Sequence, residues 1–146
     1  MKENYFKLVA MLERLHRLFL EALKIELSRM NVRDINNVQC LILYNIGQER
    51  VTIGELTSRG YYLGSNVSYN LRKMIQNGYL LQHMSSHDRR ITHIELSEKG
   101  QELYGKLHEV FTMQVQALSR EGMSGQKLAE IGNALVILEK FWTSLL

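Results

Sequence analysis

Residues 52–80 read TIGELTSRGYYLGSNVSYNLRKMIQNGYL, and this stretch decides the fold. Thr52 and Glu55 stand three apart at the start of an apolar run. That is the spacing of a capping box, in which hydroxyl and carboxylate each satisfy an amide left unpaired at a helix start. A short helix through about Arg59 is predicted. After the connection GYYLG, Val67, Leu71, Met74 and Ile75 recur at helical spacing as one apolar stripe, and Asn77-Gly78 supplies a C-terminal stop. Two helices joined by a short Gly-containing connection form a helix-turn-helix candidate.

Downstream the period changes. YLLQHM (79–84) and ITHIEL (91–96) are short and rich in β-formers, and in the second Thr92, Ile94 and Leu96 alternate with His93 and Glu95. They read as the two strands of a hairpin whose loop, SSHDRR, carries one acid and two adjacent arginines. The helix before it, about 65–77, keeps Ser65, Asn66, Ser68, Tyr69, Arg72 and Lys73 off its apolar stripe. Short polar side chains let a helix end approach base edges, and Arg and Lys reach bases or phosphates. An ordinary solvated face has the same composition, so the helix alone leaves both readings open. Followed at once by two strands and a basic loop, it has the order of a winged helix, with the loop beside the backbone or in the minor groove. Arg suits that groove because its guanidinium is planar, permanently charged and less costly to desolvate than an ammonium.

Outward from this centre the chain reads as helix. The sequence has 146 residues, 45% hydrophobic and 23% charged, with no proline to interrupt long helices. From about Asn4 to Arg29, Leu8, Leu12, Leu15, Phe19, Ala22 and Ile25 recur at three- and four-residue spacing, widened by Met11, Leu18 and Leu23. A helix of that length outruns the core of a small domain, so part of its apolar face calls for a second chain. Asp34 is the expected N-cap of a core helix through Val38, Leu41, Ile42 and Ile46, ended by Gly47. Ser97 opens a long helix to about Glu121. Ser124 opens a last one whose ridge is Leu128, Ile131, Leu135, Leu138, Phe141, Trp142 and Leu145. The expected fold is mainly α with a small β-hairpin wing: residues 1–33 and 98–146 form a helical dimerisation region around a winged helix-turn-helix lobe at 34–97. A net charge of +3 is a mild bias toward anionic partners. The lone cysteine, Cys40, and the lack of any long apolar run or signal-peptide pattern point to a cytosolic protein.

Across nearly its whole length the chain resembles the MarR family of bacterial transcription regulators. The resemblance rests on the helical N-terminus, on 52–80, on the wing signature Asp88, Arg90, Leu96, Ser97, and on the SEKG that follows the wing. It implies a homodimer with intertwined terminal helices that presents two winged lobes to a pseudo-palindromic operator on double-stranded DNA. Ser65, Asn66, Ser68, Tyr69, Arg72 and Lys73 would lie on the reading helix. In the wing, Asp88 would hold the groove residue Arg90, with Arg89 on nearby phosphate. It also implies a repressor released by a small phenolic or aromatic effector, for which Met11, Arg14, Cys40 and Tyr44 are the candidate residues. The chain departs from the family at Leu63-Gly64, where Ser-Pro is frequent, in the two tyrosines of RGYYLG, and in a wing without proline.

Other readings stay beside this one. Cys40 suits buried packing better than redox sensing, since it falls in the second helix, whereas the resemblance implies a peroxide-sensing cysteine near the N-terminus. His83, His87 and His93 share the hairpin with Asp88, but their spacing is not a metal-ligand signature, so neither metal nor cofactor is expected. An enzyme is not expected either, because no nucleophile-base spacing or phosphate loop occurs. A winged helix that binds protein and not DNA is the remaining alternative, and it has no need of a basic wing.

Overall fold

The computed structural model describes residues 1–58 and 64–146, with side chains from Asn66 onward in the second segment. The connection holding Tyr61 and Tyr62 therefore lies outside the described residues, as does Arg59, the expected end of the first short helix. In chain order the elements are α1 (Lys2–Arg29), α2 (Asn37–Ile46), β1 (Val51–Thr52), α3 (Ile53–Ser58), α4 (Gly64–Gln76), β2 (Leu80–Met84), β3 (Thr92–Leu96), α5 (Glu98–Arg120) and α6 (Gly125–Thr143). The described chain forms two compact units, Met1–Leu107 and His108–Leu146.

The first unit holds the core. Leu23 and Leu27, one turn apart on α1, are buried, as are Ile42, Leu43 and Ile46 on α2. Above them on α1 the predicted stripe is present but uncovered, with Leu8, Met11, Leu15, Leu18 and Phe19 all exposed, and Ile25, between Leu23 and Leu27, points outward too. Only the last turns of α1 thus serve this unit. There Asn37 Nδ2 donates to the Leu20 carbonyl at 3.0 Å and ties α1 to the start of α2.

Three antiparallel strands in the order β1-β3-β2 make the sheet. The hairpin register pairs Leu80 with Leu96 and Met84 with Thr92, and Val51 pairs with Ile94 on the other side. Strand β1 is absent from the sequence reading because two residues carry no alternation to detect. The Thr52 capping box forms as expected, with Thr52 N donating to Glu55 Oε2 at 2.7 Å and Glu55 N donating to Thr52 Oγ1 at 3.1 Å. After α4, Gly78 takes φ +81, and Tyr79 N reaches back to the Met74 carbonyl at 2.9 Å, which turns the chain into β2.

One cap is elsewhere than expected. Asn36, and not Asp34, opens α2: its side chain accepts from Gln39 N at 2.8 Å, and Gln39 Oε1 accepts from Asn36 N at 3.2 Å. A Gln three residues after the cap completes a capping box that Asp34, two residues earlier, cannot reach. Asp34 instead accepts from the Tyr79 hydroxyl and from Lys99 Nζ, each at 2.5 Å, while Lys99 Nζ also sits 4.3 Å over the Tyr79 ring. Desolvation pushes the Asp34 carboxyl upward, but the hydrogen bonds from Lys99 and Tyr79 outweigh it and hold the carboxyl below its ordinary value. A carboxyl depressed on folding adds stability above its unfolded pKa, and that stability is lost as pH falls through the folded one. Asp34→Asn is expected to melt lower at neutral pH and to lose less melting temperature than the native chain between about pH 5 and pH 3. Identical acid slopes in the two melting series would show that the contact is energetically silent.

Candidate nucleic-acid interface

Helix α4 is amphipathic in the strict sense that one face is buried and the other is bare. Val67, Leu71 and Met74 are fully covered by the core. Asn66, Ser68, Tyr69, Arg72 and Lys73 are exposed, Tyr69 at 58%, while the side chain of Ser65 lies outside the described residues. Gln76 shares the outward face, one turn beyond Arg72, and sequence reasoning missed it. The spacing 65, 69, 72, 76 is the signal that carries it, and it appears once the helix is followed to its last residue.

The wing is a closed turn. Ser85 N donates to the Ile91 carbonyl at 2.9 Å and Ile91 N to the Asp88 carbonyl at 3.0 Å. Asp88 Oδ1 accepts from Arg90 twice, from the backbone N at 2.9 Å and from Nε at 3.2 Å. The Arg90 side chain is nonetheless 92% exposed, and Arg89 is exposed beside it. Asp88 therefore fixes the root of Arg90 and leaves its terminal nitrogens facing water. At the wing's base Glu95 accepts from Arg50 Nε at 2.9 Å, and His83 Nε2 lies 2.8 Å from its other oxygen. Arg50, and after it His83, hold the Glu95 carboxyl below the usual carboxylate range. Because Arg50 precedes β1, this cluster fastens the hairpin to the third strand.

Two adjoining clefts share a wall, one against α4 and the other against the wing. Ser68, Arg72 and Gln76 line one of about 350 Å³ together with Gln82, Thr92 and Ile53. Arg90 lines the other, also about 350 Å³, with Gly54, Thr92 and Ile53. Since Ile53 and Thr92 belong to both, Arg72 and Arg90 border one surface. Such a surface offers guanidinium and amide donors beside small hydroxyls, the chemistry that reads base edges and phosphates. The paired strands place His83 opposite His93. Among the described residues no group of three or more His, Cys, Asp or Glu is placed to hold a metal ion.

The four candidate effector residues fall into two pairs. Met11 and Arg14 are exposed on one turn of α1, with Arg14 Nη2 3.6 Å from Met11 Sδ. Cys40 and Tyr44 lie one turn apart on α2. Cys40 is wholly buried, and desolvation pushes its thiol up to about 12. Tyr44 stacks on Tyr104 of α5 at 5.1 Å between ring centroids, and burial, then Tyr104, raises its phenol.

Known proteins share this fold. A winged helix DNA-binding domain model matches residues 35–100. The exopolysaccharide II synthesis transcriptional activator ExpG of Rhizobium meliloti is 36% identical over 139 residues, covering 95% of this chain and 72% of that protein. Among solved structures, Streptococcus pneumoniae FabT in complex with DNA superposes with a TM-score of 0.75 at 24% identity, covering 97% of this chain and 99% of that one. Staphylococcus aureus MarR in complex with salicylate and kanamycin does so with a TM-score of 0.77 at 21% identity, covering 97% and 94%. At those identities the two structures speak for the fold. No helix among the described residues is long and apolar enough to cross a membrane.

Proposed function

Because this chain belongs to the MarR family of winged-helix DNA-binding transcription regulators, we propose that it acts as a homodimer on a pseudo-palindromic operator. In this reading α4 enters the major groove with Asn66, Tyr69, Arg72 and Lys73, joined by Ser65 and Ser68. The wing lies alongside, with Arg90 in the minor groove, Asp88 as its holder and Arg89 on phosphate. The observation that carries it is the pair of adjoining clefts, sharing Ile53 and Thr92, of which Arg72 of the helix lines one and Arg90 of the wing lines the other.

The test is fluorescence anisotropy on the duplex upstream of the chain's own gene. Affinity is expected to fall with salt by about 0.9 in log-log slope per phosphate neutralised. Arg90→Ala is expected to weaken specific binding by about 1 to 3 kcal/mol. Unchanged affinity in that variant removes Arg90 from the interface. Absence of any salt-sensitive binding to that duplex overturns the regulator reading and returns the protein-interaction one.

A small aromatic or phenolic effector is the second part of the proposal, with Met11, Arg14, Cys40 and Tyr44 as its candidate contacts. It is supported by the salicylate in the staphylococcal neighbour. Burial keeps the Cys40 thiol protonated, so Cys40 enters as apolar wall and the redox reading loses its thiolate. The sign of control is repression by family resemblance and activation by the name of the Rhizobium meliloti relative. A promoter fusion with and without the chain separates the two.

A further inference from the structure

Apolar packing decides which face of α4 points inward, but it is non-directional and leaves the helix free to roll on its stripe. A directional contact on its flank removes that freedom. Gln39, in the first turn of α2, is only 7% exposed, and its Nε2 donates to Asn70 Oδ1 of α4 at 3.2 Å. Each amide in this path has one permitted sense. Asn36 N can only donate, so it claims Gln39 Oε1 and turns the Gln39 NH2 toward Asn70. Asn70 must then present its oxygen, which sends its own NH2 to the Asn66 carbonyl at 2.9 Å. Reversing either amide would set like groups against each other. On the far side of the same helix start, Asn37 is bonded to the Leu20 carbonyl of α1.

We propose that Gln39 and Asn70 are positioning residues for DNA recognition: their hydrogen bond sets the roll of α4 and links it, through the start of α2, to α1. Neither needs to touch DNA. The inference rests on α4 being the base-reading helix. Its consequence is that losing the link costs sequence-specific affinity while leaving charge-driven binding in place, because phosphate attraction tolerates a rolled helix and base-edge contacts do not.

Gln39→Glu isolates the effect. A carboxylate still accepts from Asn36 N, so the capping box survives, but it has no N–H for Asn70, whose amide can meet it only by giving up its own bond to the Asn66 carbonyl. Asn70→Ala breaks the link from the other side, at a half-buried helix position where alanine favours the fold. The chain, these two variants and the double variant are titrated against a duplex selected from a random pool by the native chain and against a scrambled duplex. Each single variant is expected to lose about tenfold on the selected duplex, the size of one buried hydrogen bond, with scrambled binding unchanged. The double variant is expected to lose no more than Asn70→Ala alone. Additive losses, or a parallel loss on the scrambled duplex, overturn the link and assign the effect of Gln39→Glu to its charge. A native chain that prefers no duplex over scrambled sequence overturns the reading of α4 itself, and the link with it.

Discussion

Gly100→Ala is expected to destabilise the DNA-binding lobe by about 3 kcal/mol, a large share of the roughly 5 to 15 kcal/mol that holds a small domain folded. Helix propensity argues for the opposite sign, since alanine in a helix interior is favoured over glycine by about 1 kcal/mol. The local geometry overrules it. Gly100 is buried in the first turn of α5, where its N–H donates to Ser97 Oγ at 3.1 Å while that hydroxyl donates to the Gly78 carbonyl at 2.5 Å. Ser97 N also holds the Tyr79 carbonyl at 3.0 Å. A Cβ on residue 100 would overlap this carbonyl oxygen and stand 3.2 Å from Leu96 Cβ. The oxygen is backbone, tied on one side to Ser97 and on the other to the Leu80–Leu96 strand pair, so it has nowhere to move. Gly105 provides the control on the same helix, because a Cβ there meets nothing within 4 Å. Gly105→Ala is expected to hold or raise the urea midpoint and Gly100→Ala to lower it sharply. If both variants gained stability, the close approach of α5 to Tyr79 would be wrong.

That glycine illustrates which features were legible in the sequence. SEKG could be matched as a pattern, but the reason for its glycine lies 21 positions away in the chain, at Tyr79. Local chemistry could be read directly. The Thr52–Glu55 box, the Ser97 and Ser124 caps, and the Asp88–Arg90 contact all join residues no more than three apart. The polar face of α4 was legible as the complement of a buried stripe. Local rules do not separate Asp34 from Asn36, both good cap residues: the Gln39 side chain and the pull of Lys99 and Tyr79 do, and they place the cap at Asn36 where Asp34 is expected. Contacts spanning the fold were invisible. Arg50 and Glu95 are 45 residues apart and Gln39 and Asn70 are 31 apart, and neither pair has a spacing that marks it. The α1 stripe was legible as a period but not as a burial pattern, because a period does not say what covers it.

What covers the apolar faces gives the second large effect. If the chain acts as the proposed homodimer, substituting Ile131→Glu together with Leu135→Glu is expected to leave a monomer and to cut operator affinity by about 10² to 10⁴-fold. Helix α6 runs for 19 residues without one buried residue, yet Leu128, Ile131, Leu135 and Phe141 are exposed on it at three- to six-residue spacing. Continuous apolar area of this kind marks an interaction surface in a soluble chain, and α1 repeats the pattern with Phe6, Leu15, Leu18 and Ile25. In the proposed homodimer a second copy of the chain would cover the α6 ridge with its own, the isologous solution. On that proposal two tethered reading helices would bind two half-sites as one event, and a monomer would forfeit the effective concentration that tethering supplies. The winged lobe has its own core in Leu43, Leu56, Leu71 and Ile94, so its circular dichroism and scrambled-duplex binding are expected to survive. Adding the same charge at polar positions of α6, as Gln126→Glu with Asn133→Glu, controls for electrostatics and is expected to leave the dimer intact. Sedimentation at micromolar concentration reads the outcome. A doubly charged Ile131, Leu135 variant that still sediments as a dimer would place the dimer contact on other faces than this ridge.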